Sequence, residues 1–193
     1  GLDSRLLPGG WLREPPASLR RADALVVTHA NEVDDELAAR LERWHGSPPL
    51  AWFRHRWSDL TIHAPPAPPE PSPLEWFEGR RLLAVLGVGN PAGIVGAAAS
   101  HGADVVRSIP VSDHQRYDAR LVQRIAAAAD AVDAVLTTRK DWVKLERLID
   151  SEFPLPIVVP SLEVDLVEGG AAFCRRLVEV AQSTEAAPPV PSR

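Results

Sequence analysis

Short apolar runs that alternate with helical segments constrain the fold of this chain more than any other feature. The runs are residues 82–86, 104–106, 134–138 and 156–159, and a segment with apolar residues at helical spacing follows each of them. Strands that alternate with helices in this way pair in parallel through right-handed crossovers. The sequence therefore predicts an α/β fold with a mostly parallel sheet and flanking helices.

The first 63 residues carry the signals of one strand and one helix, followed by extended segments. Residues 24–27 form an apolar run typical of a strand that is buried on both faces. Asn31 is expected to cap a helix, and Gly46 is expected to end it. The segments 50–54 and 60–62 are predicted to form two separate strands.

Composition divides the chain into four parts. Residues 64–73, APPAPPEPSP, favour polyproline II and indicate a semi-rigid linker. The predicted parts are a first body (1–48), linking strands with the proline-rich linker (49–73), a Rossmann-like second α/β domain (74–182) and a disordered tail (183–193). Because the chain has no Met and begins inside a loop-like segment, we expect a truncated or naturally short sequence.

Composition also excludes several classes of function. The net charge of −5 argues against nonspecific nucleic-acid binding, which requires a basic surface. No apolar run approaches the length of about 20 residues that spans a bilayer. The six histidines are scattered without a metal-binding spacing, so we predict no metal site. The single cysteine, Cys174, is expected to lie near the core on the last helix.

The turn at residues 87–91 (GVGNP) follows a predicted strand and begins a helix. Asn90 is a good helix cap, and Pro91 suits the first helical position. Gly87 and Gly89 would let the backbone approach an anion at this helix start, and we expect a positive φ at Gly89. The turn matches neither GxGxxG nor GxxxxGK[ST], and taken alone it is more simply interpreted as an ordinary strand–helix turn.

Three further segments could carry chemistry. Asp113-His114 follows a predicted strand and could exchange a proton near neutral pH, or be a loop histidine beside a helix cap. Thr138 could cap a helix on which Lys140 and Lys144 attract phosphate or merely face solvent. Arg13-Glu14 could be an ion pair or a phosphate clamp.

These stretches, in their order and spacing, resemble the tetraacyldisaccharide 4′-kinase (lipid A 4′-kinase) family of Gram-negative bacteria. The family's GRLLPAGPLREP loop is similar to residues 4–15, and its AGIGNP turn is similar to residues 86–91. Its FPDHH segment resembles residues 111–115, and its TTEKDAVKL segment resembles residues 137–145. The likeness covers about residues 2–180.

The resemblance implies a transferase of lipid A and lipopolysaccharide biosynthesis. Such a kinase moves the γ-phosphate of ATP, with Mg²⁺, to the 4′-hydroxyl of tetraacyldisaccharide 1-phosphate. It implies a cytoplasmic location, peripheral on the inner membrane through an N-terminal part that this chain lacks. Residues 1–48 would be the C-terminal remnant of the P-loop kinase domain. Because no phosphate loop is present, the isolated chain is expected to be inactive.

The resemblance also assigns residue roles. His114 would support the catalytic carboxylate, Arg13 would neutralise charge on the transferred phosphoryl group, and Glu14 would fix Arg13 or contact the nucleotide. The substrate cleft would be lined by Gly87, Gly89, Asn90, Asp113 and Lys140. Where the family has Pro, His and Glu, this chain has Ser112, Gln115 and Arg139, and we assign Arg139 no role.

Two alternatives belong to other classes. The chain could be a non-catalytic module that binds a phosphosugar or a nucleotide. It could also be a nucleotide-sugar-binding, glycosyltransferase-like domain, although it lacks a DxD-like pair beside a strand end. Finding a GxxxxGK[ST] loop upstream in the gene would favour the kinase.

Overall fold

The computed structural model describes residues 4–10, 12–111 and 117–185. Short 3₁₀ helices lie at Pro16–Arg21, Leu74–Phe77 and Ala129–Ala131. The strands and α-helices are β1 (Val26–Val27), α1 (Asp35–His45), β2 (Ala51–His63), β3 (Glu70–Ser72), β4 (Arg81–Leu86), α2 (Pro91–Ser100), β5 (Asp104–Pro110), α3 (Ala119–Ala126), β6 (Ala134–Leu136), α4 (Arg139–Leu145), β7 (Ile157–Glu168) and α5 (Gly170–Glu185).

The chain divides into two compact units. Unit 1 comprises Gly1–Arg56 and Val164–Arg193, and unit 2 comprises Trp57–Glu163. The chain passes from one unit to the other inside β2 and again inside β7. The predicted boundaries differ from this division, because residues 164–182 were placed in the second domain and belong to unit 1.

Unit 2 is built on a mostly parallel sheet, as the sequence predicts. Strand β4 lies between β5 and β6, and β6 pairs with β7, all in parallel. Strand β3 runs antiparallel to the second half of β2. The carboxyl ends of β4 and β6 therefore lie along one edge of this sheet.

Both faces of the unit 2 sheet are covered, because successive side chains of a strand point to opposite faces. On β4, Leu83 and Val85 pack into one cluster with Leu121 of α3 and Leu145 of α4. On the other face, Leu82 belongs to a second cluster with residues of β2, the 3₁₀ helix before β4, and α2. These continuous apolar runs are typical of parallel strands that helices cover on both sides.

Unit 1 agrees with the sequence in element order but not in detail. Strand β1 pairs in parallel with the start of β2, with Val26 opposite Ala51. The prediction of burial on both faces was wrong for this strand, because Val26 is 41% exposed. Helix α1 is capped by Asp34, whose Oδ1 accepts from the Leu37 N–H, and the predicted cap Asn31 lies before it. Gly46 ends the helix as predicted.

Three further predictions were wrong at the level of elements. The segments 50–54 and 60–62 fall on one continuous strand, β2 (Ala51–His63), on which the exposed Arg54 and Arg56 donate to Asp165. Helix α5 extends through residues 183–185 of the predicted tail. Cys174 lies on an exposed part of α5, away from the predicted core position.

Candidate functional site

Gly87 lies at the carboxyl end of β4, where the backbone turns towards α2. Its N–H donates to Asp141 Oδ2 at 2.9 Å. A Cβ atom on Gly87 would lie 2.7 Å from the Tyr117 hydroxyl and 2.8 Å from Asp141 Oδ1. Glycine is therefore required here because of space.

The rest of the turn corrects one expectation and confirms another. Gly89 does not have the positive φ that we expected, and a Cβ atom there would meet nothing within 4 Å. Asn90 caps α2 as predicted, because its Oδ1 accepts from the Gly93 N–H at 3.1 Å. A Cβ atom on Gly93 would lie 2.8 Å from Asn90 Nδ2, so this cap also requires a close approach.

Asp141 is a central residue of the candidate site to which the sequence reasoning gave no role. Its side chain is fully buried and accepts hydrogen bonds from the Gly87 N–H, from the Tyr117 hydroxyl at 2.6 Å and from Thr138 Oγ1 at 2.9 Å. Thr138 also caps α4, as predicted. One carboxylate thus joins the ends of β4 and β6 to the segment that begins α3. The T-x-x-D spacing at a helix start was the only local signal for this role.

The two lysines of α4 contact neighbouring motifs in unit 2. Lys140 Nζ donates to the Gly87 backbone oxygen at 3.1 Å. Lys144 Nζ lies 4.8 Å from the centroid of the Tyr117 ring. The structure therefore brings Gly87 and Lys140 together, as the predicted cleft requires.

Asp113 and His114, together with Ser112 and Gln115, lie outside the described residues. Tyr117 is the first described residue after them. Its hydroxyl donates to Asp141 at 2.6 Å in a partly buried contact, which fixes the position of Tyr117 in unit 2.

Arg13 and Glu14 belong to unit 1, where both are exposed. Glu14 forms its ion pair with Arg21, which is itself exposed at the end of a 3₁₀ helix. The ion pair of Glu14 recorded in the structure is thus with Arg21 and not with its sequence neighbour Arg13.

A cavity of about 580 Å³ opens beside the turn in unit 2. Its lining comes from β2, the turn, α2, the start of α4 and β7. The lining residues are Trp57, Thr61, Val88, Ile94, Thr137, Thr138, Arg139, Lys140, Val159, Pro160, Ser161 and Leu162. This is the edge of a parallel sheet at which ligands bind in open α/β folds.

The described residues contain neither a metal-binding cluster nor a membrane-spanning helix. Within 4–10, 12–111 and 117–185, no three His, Cys, Asp or Glu side chains converge closely enough to hold a metal ion. In the same ranges, no helix has the length and apolar character needed to cross a membrane.

Comparison with known proteins gives consistent matches. The family model for tetraacyldisaccharide-1-P 4′-kinase (LpxK) matches residues 2–182. A tetraacyldisaccharide 4′-kinase of Geobacter sulfurreducens is 36% identical over 74% of this chain and 38% of its own length. One from Syntrophotalea carbinolica is 32% identical over 87% of this chain and 44% of its own length.

A crystal structure of LpxK from Aquifex aeolicus in complex with ATP is 24% identical, with a TM-score of 0.48. That match covers 90% of this chain and 49% of the other. The chain therefore spans less than half the length of the relatives described here.

Proposed function

The chain belongs to the tetraacyldisaccharide-1-P 4′-kinase family, and from this we propose that it forms part of a lipid A kinase. The kinase transfers the γ-phosphate of ATP to the 4′-hydroxyl of tetraacyldisaccharide 1-phosphate. Support comes from the family match over residues 2–182 and from relatives that carry this name. The four motifs of the sequence all lie within the matched range.

The observation that carries the proposal is the arrangement around Asp141. The turn segment at Gly87 and the segment of Thr138 meet at this buried carboxylate, together with Tyr117, which follows the third motif segment. They meet at the carboxyl ends of β4 and β6, beside the cavity. An ordinary strand–helix turn needs no such buried charged hub, whereas a substrate site needs its backbone held rigidly.

The proposed residue roles follow the chemistry of phosphoryl transfer, which depends on positioning and charge neutralisation. Arg13 has an exposed guanidinium and would neutralise charge on the transferred phosphoryl group. Glu14, which forms an ion pair with Arg21, would fix Arg13 or contact the nucleotide. His114 would orient the catalytic carboxylate that deprotonates the sugar hydroxyl. The substrate would contact the cleft at Gly87, Gly89, Asn90, Asp113 and Lys140.

ATP, Mg²⁺ and membrane association are parts of the same proposal. The sequence has no GxxxxGK[ST] loop, and within the described ranges no three His, Cys, Asp or Glu side chains come together as a metal-binding group. The described residues therefore offer Mg²⁺ no such cluster, and its ligands would come from other parts of the protein. The kinase would work at the cytoplasmic face of the inner membrane, where its lipid substrate lies.

The decisive experiment uses the product of the complete gene. Purified protein is incubated with γ-labelled ATP, Mg²⁺ and tetraacyldisaccharide 1-phosphate, and 4′-phosphorylated lipid is measured. We expect transfer by the wild type and a loss of about 10²-fold in kcat for His114→Ala. Arg13→Ala should also lower kcat, because it removes the charge proposed to neutralise the transferred phosphoryl group. Its matched control is Arg124→Ala, which removes an exposed arginine at the end of α3 and should retain full activity.

Each result has a separate meaning. No labelled lipid with the wild type would overturn the proposed function. Unchanged turnover in His114→Ala would remove that histidine from the mechanism. Chain 1–193 alone should transfer no phosphate, because its sequence contains no phosphate loop.

A further inference from the structure

We propose that the unit 2 cavity binds one hydrocarbon chain of an anionic lipid, with Arg139 and Lys140 facing its phosphate. This inference rests on the proposed function, because the substrate of that reaction carries both acyl chains and a phosphate. It goes further by naming a site for one acyl chain on this chain's own residues.

The walls of the cavity are predominantly apolar. Trp57 and Ile94 belong to β2 and α2, Val88 to the turn, and Val159 and Leu162 to β7. Leu162 is 61% exposed although it lines a concave surface. A volume of about 580 Å³ falls within the usual range for small-ligand pockets, about 300–1,000 Å³. An apolar, open concavity of this size suits a flexible hydrocarbon chain.

The charged residues in the described lining of the cavity, Arg139 and Lys140, are both cationic, and none of the described lining residues carries a carboxylate. Lys140 Nζ lies at the turn, where it donates to the Gly87 oxygen at 3.1 Å. The lining residue Ser161 donates to Asp59 at 2.6 Å, but Asp59 is not part of the lining. The cavity is therefore complementary to an anion attached to an apolar group.

The hydroxyl groups of the cavity distinguish a hydrocarbon chain from a nucleobase. Thr137 Oγ1 donates to the Val85 backbone oxygen, Thr138 Oγ1 to Asp141, and Ser161 Oγ to Asp59. Three of the four hydroxyl hydrogens are thus used inside the protein. A purine would lose its hydrogen bonds to water on entering the apolar part of this cavity, where the hydroxyls are already used inside the protein, and a hydrocarbon chain loses none.

The test measures binding of a series of alkyl phosphates to chain 1–193 by isothermal titration calorimetry. The probes are inorganic phosphate and butyl, hexyl, octyl and decyl phosphate, each below its critical micelle concentration. We expect affinity to rise about three- to fourfold per added methylene until the chain fills the cavity, and then to level off. In a further titration octyl phosphate is added in the presence of ATP, and ATP should not reduce its binding.

Matched variants locate the site. Leu162→Asp places a charge in the cavity and should weaken octyl phosphate binding at least tenfold. Leu148→Asp alters an exposed leucine outside the lining and should leave binding unchanged. Far-ultraviolet circular dichroism checks that both variants are folded. A third variant, Ile94→Trp, fills the cavity without adding charge and should also weaken octyl phosphate binding.

Three outcomes would overturn the inference. These are equal affinity for butyl and octyl phosphate, equal loss of binding in Leu162→Asp and Leu148→Asp, and displacement of octyl phosphate by ATP. The result is independent of the kinase assay. Octyl phosphate bound with no phosphoryl transfer by the complete gene product would contradict only the proposed function. Transfer without alkyl-chain binding would contradict only the acyl site.

Discussion

At the scale of single residues, the buried carboxylate of Asp141 determines the shape of the turn after β4. Replacing Asp141 by Ala leaves the Gly87 N–H and the hydroxyls of Tyr117 and Thr138 without their acceptor. The Gly87 N–H is buried and the two hydroxyls are partly buried, and a buried donor left unsatisfied costs about 1–3 kcal/mol. We expect the free energy of unfolding of Asp141→Ala to fall by about 3 kcal/mol or more, measured by urea denaturation.

The control for this variant is Asp130→Ala, which removes an exposed carboxylate in the same unit. It should change the free energy of unfolding by less than about 0.5 kcal/mol. A loss below about 1 kcal/mol in Asp141→Ala would show that the hub does not hold the turn.

Two glycines of the turn differ in the space around them. A Cβ atom on Gly87 would overlap the Tyr117 hydroxyl and Asp141, whereas one on Gly89 would meet nothing. Gly87→Ala should therefore lower the free energy of unfolding by about 1–3 kcal/mol, and Gly89→Ala should leave it nearly unchanged. Thermal unfolding of both variants tests this, and equal melting temperatures would contradict it.

His63 gives the stability of unit 2 a pH dependence. It is 8% exposed, stacks on Trp142 with ring centroids 4.2 Å apart, and its Nε2 has no hydrogen-bond partner among the described residues. Burial lowers the pKa of His63 below its ordinary value of 6.5, with a smaller opposing effect from Glu146 and a smaller reinforcing one from Arg139. The folded state therefore favours the neutral imidazole.

The sign of the pH effect follows from this shift. Below pH 6.5 the unfolded chain takes up a proton that folded His63 does not, so stability is complete above pH 6.5 and is lost as the pH falls. We expect His63→Phe to lose less stability than the wild type between pH 7.5 and pH 5.5, measured by urea denaturation. Equal losses would contradict the prediction.

At the scale of elements, two glycines with similar backbone angles end and begin helices of unit 1. Gly46 (φ 99°) follows α1 in open space, whereas a Cβ atom on Gly169 (φ 86°) would lie 2.1 Å from the Leu50 oxygen. Gly46→Ala should cost about 1 kcal/mol through its left-handed conformation alone. Gly169→Ala should cost at least about 2 kcal/mol, because it must also displace backbone. Urea denaturation that ranks them equally would contradict this.

Element prediction succeeded where a signal was local. Asn90 and Thr138 cap helices through their own hydrogen bonds three residues on, so their sequence context is sufficient. Asn31 failed because Asp34 was the better candidate: it precedes Asp35 and Glu36, which favour the first turn of a helix. The length of β2 could not be predicted, because Arg54 and Arg56 in its middle are neutralised by Asp165, more than 100 positions away.

At the scale of the whole molecule, the two units differ in their cores. Both large clusters of buried apolar residues in the described ranges lie within unit 2. In unit 1 the buried apolar residues of those ranges are Leu25, Leu41, Ala51 and Trp52. A backbone amide hydrogen exchanges slowly when its exchange requires the unfolding of a large apolar core. We expect peptides from β4 and β6 to exchange hydrogen at least tenfold more slowly than peptides from β1 and α1, measured by mass spectrometry; equal rates would contradict this.

The sequence alone determined the order of strands and helices, the parallel sheet and the family. These depend on apolar periodicity, cap residues and motif order, which are properties of short segments. Tertiary structure alone decided which residues form the site. Asp141 meets Gly87 across 54 positions and Tyr117 across 24, and the space around Gly87, but not around Gly89, is closed by those same side chains. No local pattern encodes such contacts, because they exist only once the carboxyl ends of β4 and β6 lie side by side.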